Sequence, residues 1–314
     1  MMTRKIACLG AGLIGHSWAA LFAMKGFQVA LEDVDRGALD RATDWIRADM
    51  DILVENDFLS RVEADEAISC IQPTLDLAEA VEGAFYVQES TFERYDVKKA
   101  LFKEMDELAP EEVILASSSS ALLMTEIQAV TRTPRRCIVA HPWNPPLLIP
   151  LVEVVPGKDT SKETIEETRK LMLELGKCPV VLRREVPGYI GNRLQAALWR
   201  EAIDLVDKGV CTVEDVDNAV SKGPGLRWAL MGPNLVFHLG GGPKGIEYFI
   251  EHIGPSYDYR LMDMASWTSI PESGAKKVIE GVRSMPMVHR MSVEELAKWR
   301  DRKLMKILKA LSET

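Results

Sequence analysis

The sequence holds 314 residues, enough for two domains with a substantial core. Its 47% hydrophobic and 27% charged residues are those of an ordinary globular protein, not of a disordered or fibrous chain. A net charge of −9 with no lysine- or arginine-rich block argues against a nucleic-acid surface. No apolar run reaches the roughly 18 residues that a membrane span needs.

The first expected strand is Lys5-Ile6-Ala7-Cys8-Leu9, and Gly10-Ala11-Gly12-Leu13-Ile14-Gly15 follows it directly. A helix over 16–25, then Gly26, then a strand over 27–31 running into Glu32-Asp33 complete a dinucleotide-binding unit. Gly10 permits the tight turn, Gly12 lets the backbone approach a pyrophosphate, and Gly15 lets the helix pack close to the strand. Leu13 and Ile14 complete the loop, and the helix start offers free N–H groups to phosphates. Val29, Leu31 and Asp33 share one strand face, so Asp33 rather than Glu32 falls at the tip. A carboxylate there accepts from a ribose diol and repels a 2′-phosphate, which makes NAD the expected cofactor; Arg36 nearby is the feature that would favour NADP.

The first strand begins near Arg4, which leaves no room for a cleavable signal. Cys8, Cys70, Cys137, Cys178 and Cys211 have neither metal-site spacing nor a disulfide framework. Reduced thiols, a cytoplasmic location and no bound metal are therefore expected.

Helical spacing continues over 36–55 and 60–68, followed by a strand over 84–88 and a helix over 95–108. Further strands are expected over 113–116, 137–140, 151–155 and 180–182, with a helix over 162–175 between the last two. Such alternation predicts an α/β fold with a doubly wound, mainly parallel sheet. The character changes at Val186-Pro187-Gly188, and no strand is expected beyond it. Helices over 189–208, 213–222, 235–238, 245–252 and 292–311 make the rest all-α. The chain thus divides into a Rossmann domain over 1–186 and an all-α domain over 187–314 for substrate and dimerisation.

The segment Ala140-His141-Pro142-Trp143-Asn144-Pro145-Pro146 begins at a strand's end, where parallel sheets place ligands. Prolines on both sides hold His141 and Asn144. Glu153 interrupts the apolar strand Leu151 to Val155, and a carboxylate among such neighbours needs a partner. An imidazole is a natural one, because the carboxylate fixes its tautomer and raises its basicity. The local pattern equally allows an ordinary core histidine and a glutamate paired elsewhere. Ser117 to Ser120 also follow a buried strand, where hydroxyls cap helices or meet a ligand.

Together these residues resemble the L-3-hydroxyacyl-CoA dehydrogenase family, within it the branch acting on L-gulonate and L-carnitine. The likeness covers nearly the whole chain and includes Ile149-Pro150-Leu151-Val152-Glu153 and Gly191-Asn192-Arg193-Leu194. It implies a Rossmann domain followed by an all-α domain like the C-terminal domain of 6-phosphogluconate dehydrogenase, and a homodimer. It implies that His141 takes the proton from a 3-hydroxyl, that Glu153 orients it, and that Ser120 and Asn192 hold the substrate oxygen while hydride passes to NAD. Glu89, Glu93 and Lys98 match cofactor-side positions, and Asn144 is assigned there too. Phe92 and Ser118 depart from the family's usual proline and asparagine.

Arg227 lies four residues before Met231-Gly232-Pro233, as in the gulonate and carnitine branch. A guanidinium there could clamp a substrate carboxylate, or serve only as a surface or interdomain ion pair. A quaternary ammonium prefers aromatic faces, which Trp143, Trp228, Phe237, Tyr248 and Phe249 could supply or could bury in the core. The expected activity is NAD-dependent oxidation of a small L-3-hydroxy acid. The alternatives are a short-chain 3-hydroxyacyl-CoA dehydrogenase and a non-catalytic, crystallin-like NAD-binding protein.

Overall fold

A computed structural model describes residues 4–312 and divides the chain into two compact units, Met1–Asn192 and Arg193–Thr314. Residues 1–3 and 313–314, the outermost positions of the two expected domains, lie outside the described residues. The strands of the first unit are β1 (Lys5–Leu9), β2 (Gln28–Glu32), β3 (Ile71–Thr74), β4 (Ala84–Glu89), β5 (Ile114–Ser117), β6 (Cys137–Pro142), β7 (Leu151–Pro156) and β8 (Cys178–Val181). They form one sheet in the order β3-β2-β1-β4-β5-β6-β7-β8.

All neighbours pair in parallel except β6 and β7. Residues 143–150 are too few to form a crossover helix, so β7 turns back antiparallel to β6. That turn sets His141 directly opposite Glu153. The two edge strands, β3 and β8, carry Pro73 and Pro179. A proline has no N–H for a ladder and is tolerated at an edge. β3 was not expected from the sequence, because this proline breaks an already short and half-exposed pattern.

The central strands are continuous apolar runs because helices cover both faces. Phe102 and Met105 of helix Tyr95–Leu108 pack with Val87, Leu115, Val139 and Tyr189 in one buried cluster. Strand order reverses between β1 and β4, the switch point where open α/β sheets bind ligands at their carboxyl ends.

Among the described residues the second unit has no strand. Its longer helices are Gly191–Asp207, which begins in the first unit, Val213–Lys222, Pro255–Asp263, Glu272–Ser284 and Val293–Ser312. Thr212 starts the second of these with a capping box, its hydroxyl accepting from Asp215 N–H while Asp215 accepts from Thr212 N–H. The helix expected from 189 starts at Gly191, since Gly188 and Tyr189 are left-handed with φ of 74° and 53°. Among the described residues no helix is long and apolar enough to cross a membrane.

Candidate active site

At the carboxyl end of β1 the backbone turns so tightly that a Cβ on Gly10 would lie 2.8 Å from the carbonyl oxygen of Ser90, at the end of β4. A Cβ on Gly15 would collide with the Gly10 carbonyl. Gly12 meets nothing within 4 Å, which leaves open space above the turn, and Leu13 beside it is exposed. Asp33, just past β2, accepts from Ala11 N–H at 2.8 Å and from Asp35 N–H at 3.0 Å, so its carboxylate faces the glycine turn. Glu32 lies inside the strand instead, where burial and the charges of Asp33 and Glu104 raise its carboxyl to about 7. An open cradle, a helix start at Gly15 and a flanking carboxylate fit a dinucleotide.

Across the β6–β7 pair, His141 Nδ1 donates to Glu153 Oε2 at 2.9 Å. Both side chains are buried. The same oxygen accepts from the Trp143 indole N–H at 3.3 Å, while Oε1 accepts from the main-chain N–H groups of Ile190 at 2.8 Å and Gly191 at 3.0 Å. Burial alone would raise this carboxyl, but the four donors outweigh it and hold the group below the ordinary carboxylate range. The Tyr189 ring stands edge-on to the imidazole, 5.5 Å between centroids, and its hydroxyl donates to Leu122 O at 2.7 Å.

A second carboxylate organises the serine run. Glu93 Oε1 accepts from Ser119 Oγ at 2.8 Å, Ser120 N–H at 2.7 Å, Ser120 Oγ at 3.3 Å and Ala121 N–H at 3.0 Å. Burial opposes its charge, but these bonds and the Lys98 ammonium hold it low. Lys98 is itself buried and bonds both oxygens of buried Glu89, at 2.7 and 2.9 Å. Glu89 also takes the hydroxyl of Ser117 at 2.6 Å. Asn192 Nδ2 reaches the Ser120 carbonyl at 3.1 Å. An unbroken chain of contacts therefore links His141, Glu153, residues 190–192, Ser120, Glu93 and Lys98.

Ser118 bonds Gln88, Ser90 and Trp18, tying β4 and the helix Gly15–Met24 to the serine turn. Asn144 is exposed, with no hydrogen-bond partner among the described residues. Arg227 belongs to the second unit, exposed on the short helix Pro224–Trp228, and its guanidinium has no partner among the described residues. The aromatic side chains proposed for an ammonium are largely engaged. Phe237, Phe249 and Tyr257 pack on one another, and Tyr248 is stacked by His252 and approached by Lys244 at 4.8 Å. Trp143 turns its indole N–H to Glu153, a role that local pattern could not reveal because it depends on where residues 190–192 return.

Known proteins show the family. The model for the NAD binding domain of 3-hydroxyacyl-CoA dehydrogenase matches residues 5–186, and that for its C-terminal domain matches residues 188–280. The chain is 39% identical to an L-carnitine dehydrogenase of Nocardiopsis dassonvillei, covering 99% of this chain and 92% of that one. It is 36% identical to the lambda-crystallin homolog of Homo sapiens, covering 98% and 96%. Among solved structures, 5-formyl-3-hydroxy-2-methylpyridine 4-carboxylic acid 5-dehydrogenase, described as an NAD+-dependent dismutase, aligns with a TM-score of 0.85 at 29% identity over 99% of both chains. The 3-hydroxybutyryl-CoA dehydrogenase of Escherichia coli aligns with a TM-score of 0.71 at 28% identity, over 90% of this chain and 57% of that one.

Proposed function

From the premise that this chain belongs to the 3-hydroxyacyl-CoA dehydrogenase family and is an NAD-dependent oxidoreductase of a 3-hydroxy acid, we propose that His141 is its general base and a small L-3-hydroxy acid like L-carnitine or L-gulonate its substrate. One observation carries the reading: His141 Nδ1 is held 2.9 Å from a carboxylate whose other oxygen is anchored by two main-chain N–H groups. With Nδ1–H committed to Glu153, the lone pair of Nε2 is left to take the hydroxyl proton. Glu153 stabilises the imidazolium that forms, and its burial keeps the pair strong.

Ser120 and Asn192 hold the substrate oxygen, and Glu93 keeps the serine turn in place for it. Gly10, Gly12, Leu13, Ile14, Gly15 and Asp33 hold the dinucleotide, with Glu93, Lys98 and Asn144 on its nicotinamide side. NAD, when bound, supplies the acceptor for the hydride leaving the carbinol carbon. Arg227 binds the substrate carboxylate, a group that an acyl-CoA thioester lacks. The free cysteines fit a reducing cytoplasm, and the exposed Leu194, Leu198 and Trp199 of helix Gly191–Asp207 fit a homodimer.

The test is a panel of L-carnitine, L-gulonate and L-3-hydroxybutyrate with NAD, followed by NADH absorbance, with acetoacetyl-CoA and NADH run beside it. Turnover of a free acid is expected. Turnover of acetoacetyl-CoA alone would move the chain to the short-chain acyl-CoA reading, and no turnover of any would leave the crystallin-like one.

A further inference from the structure

The imidazole and the indole of this site share one oxygen atom. Glu153 has four acceptor positions in an almost fully buried carboxylate, and all four are filled: Ile190 N–H and Gly191 N–H on Oε1, His141 and Trp143 on Oε2. Three of these donors cannot titrate, so the charge left for the imidazolium depends on how much they draw off. The main-chain pair acts on the far oxygen. The indole acts on the oxygen that His141 itself uses.

A second, independent feature fixes the indole there. Its six-membered ring occupies the space that a Cβ on Gly191 would need. Only a glycine at the start of the helix Gly191–Asp207 admits a tryptophan against it while also giving its N–H to Glu153. Residue 143 is thereby pinned between the carboxylate and the helix start.

We infer that Trp143 is a positioning residue that sets the protonation range of the His141–Glu153 pair by sharing Glu153 Oε2 with the imidazole. The inference rests on the proposed role of that pair. The indole N–H drains charge from the carboxylate and keeps Oε2 turned toward β6. Its removal leaves more negative charge facing the imidazole, so the proton-bearing form is favoured up to higher pH. Tyr189 also stands against the imidazole; burial pushes its phenol up, out of the neutral range, with the charges of Glu93, Glu185 and Glu153 adding to the rise. It therefore stays neutral while the histidine titrates.

The test needs neither substrate nor cofactor. Ring carbons of the five histidines are labelled, His141 is assigned from its loss in His141→Ala, and its NMR titration is followed in the full chain. Trp143→Phe, which keeps an aromatic ring but no N–H, is expected to raise the midpoint by roughly half a pH unit, whereas Glu153→Gln lowers it. Gly191→Ala, which pushes the ring away but keeps its N–H, is expected to raise it too and serves if the phenylalanine variant does not fold. A midpoint that moves in Glu153→Gln but in neither of the others overturns the role of Trp143 alone. One that moves in none of the three removes the histidine–glutamate pairing and this inference with it.

Discussion

The two units treat their side chains in opposite ways. In the sheet unit a large set of apolar side chains is fully inside, and buried polar groups pair off, Lys98 with Glu89 and His141 with Glu153. Among the described residues of the helical unit only Ile203, Val206, Val213, Val236, Ala265 and Met305 are buried apolar side chains. Leu194, Trp199, Leu230, Met262 and Val293 stand outside. A unit with so little interior of its own leaves apolar surface of the kind that contacts use. On the proposed reading this is a division of labour, with proton chemistry internal to the sheet unit and recognition and assembly assigned to the helical one.

Substitution at the base should break that division most sharply. His141→Ala is expected to lower kcat about 10³-fold while NADH binding, followed by fluorescence titration, stays as it was. Turnover within tenfold of the unaltered enzyme would move the base elsewhere. Arg227→Ala probes the other unit. It should raise KM for a free-acid substrate about tenfold or more, with little change in kcat, because one charge-assisted fork is lost. Equal KM values would reduce Arg227 to a surface cation. Asp33→Ala comes next in size: NAD affinity should fall about tenfold, and the ratio of NAD to NADP activity should narrow. An unaltered ratio would take Asp33 out of cofactor selection.

The sequence made the sheet unit largely legible, because a buried strand with a glycine turn or a lone glutamate leaves few physical options. The helix over 95–108, β4, β6 and β7 needed only periodicity. What it hid follows from tertiary placement. β3 is a proline-bearing edge, and the helices Leu77–Val81 and Met124–Gln128 are too short to show a period. Helix Glu272–Ser284 is missing from the expected helices; it carries Gly274 and Gly281, and a Cβ at Gly281 would run into Val213, so that glycine marks a close helix contact. Similarly, the pairing of His141 with Glu153 was one of two equal readings until the antiparallel turn set the residues opposite each other. The bonds from Ile190, Gly191 and Trp143 to that glutamate had no local signal.

The smallest effect separates the units by acidity. Glu153, Glu93 and Asp106 all lie in the sheet unit, and burial would raise each carboxyl. Hydrogen bonds to Glu153 and Glu93, with Lys98 assisting the latter, reverse that, and Arg132 N–H and the Arg136 guanidinium do so for Asp106. A carboxylate held low in the folded state adds stability above its unfolded range, and that stability goes as pH falls through the folded value. The helical unit's low carboxylates, Asp207, Asp215 and Glu294, are exposed or only half-buried and worth little. Acid should therefore loosen the sheet unit first. Glu153→Gln presents an amide donor where the carboxylate accepted from His141 or Trp143, so its thermal midpoint at pH 7 should lie roughly 3–6 °C below that of the unaltered chain. The gap should close only as the pH falls below the ordinary carboxylate range, where the native carboxylate protonates too. A gap of constant size from neutral to acid pH would mean that Glu153 contributes by shape and not by charge.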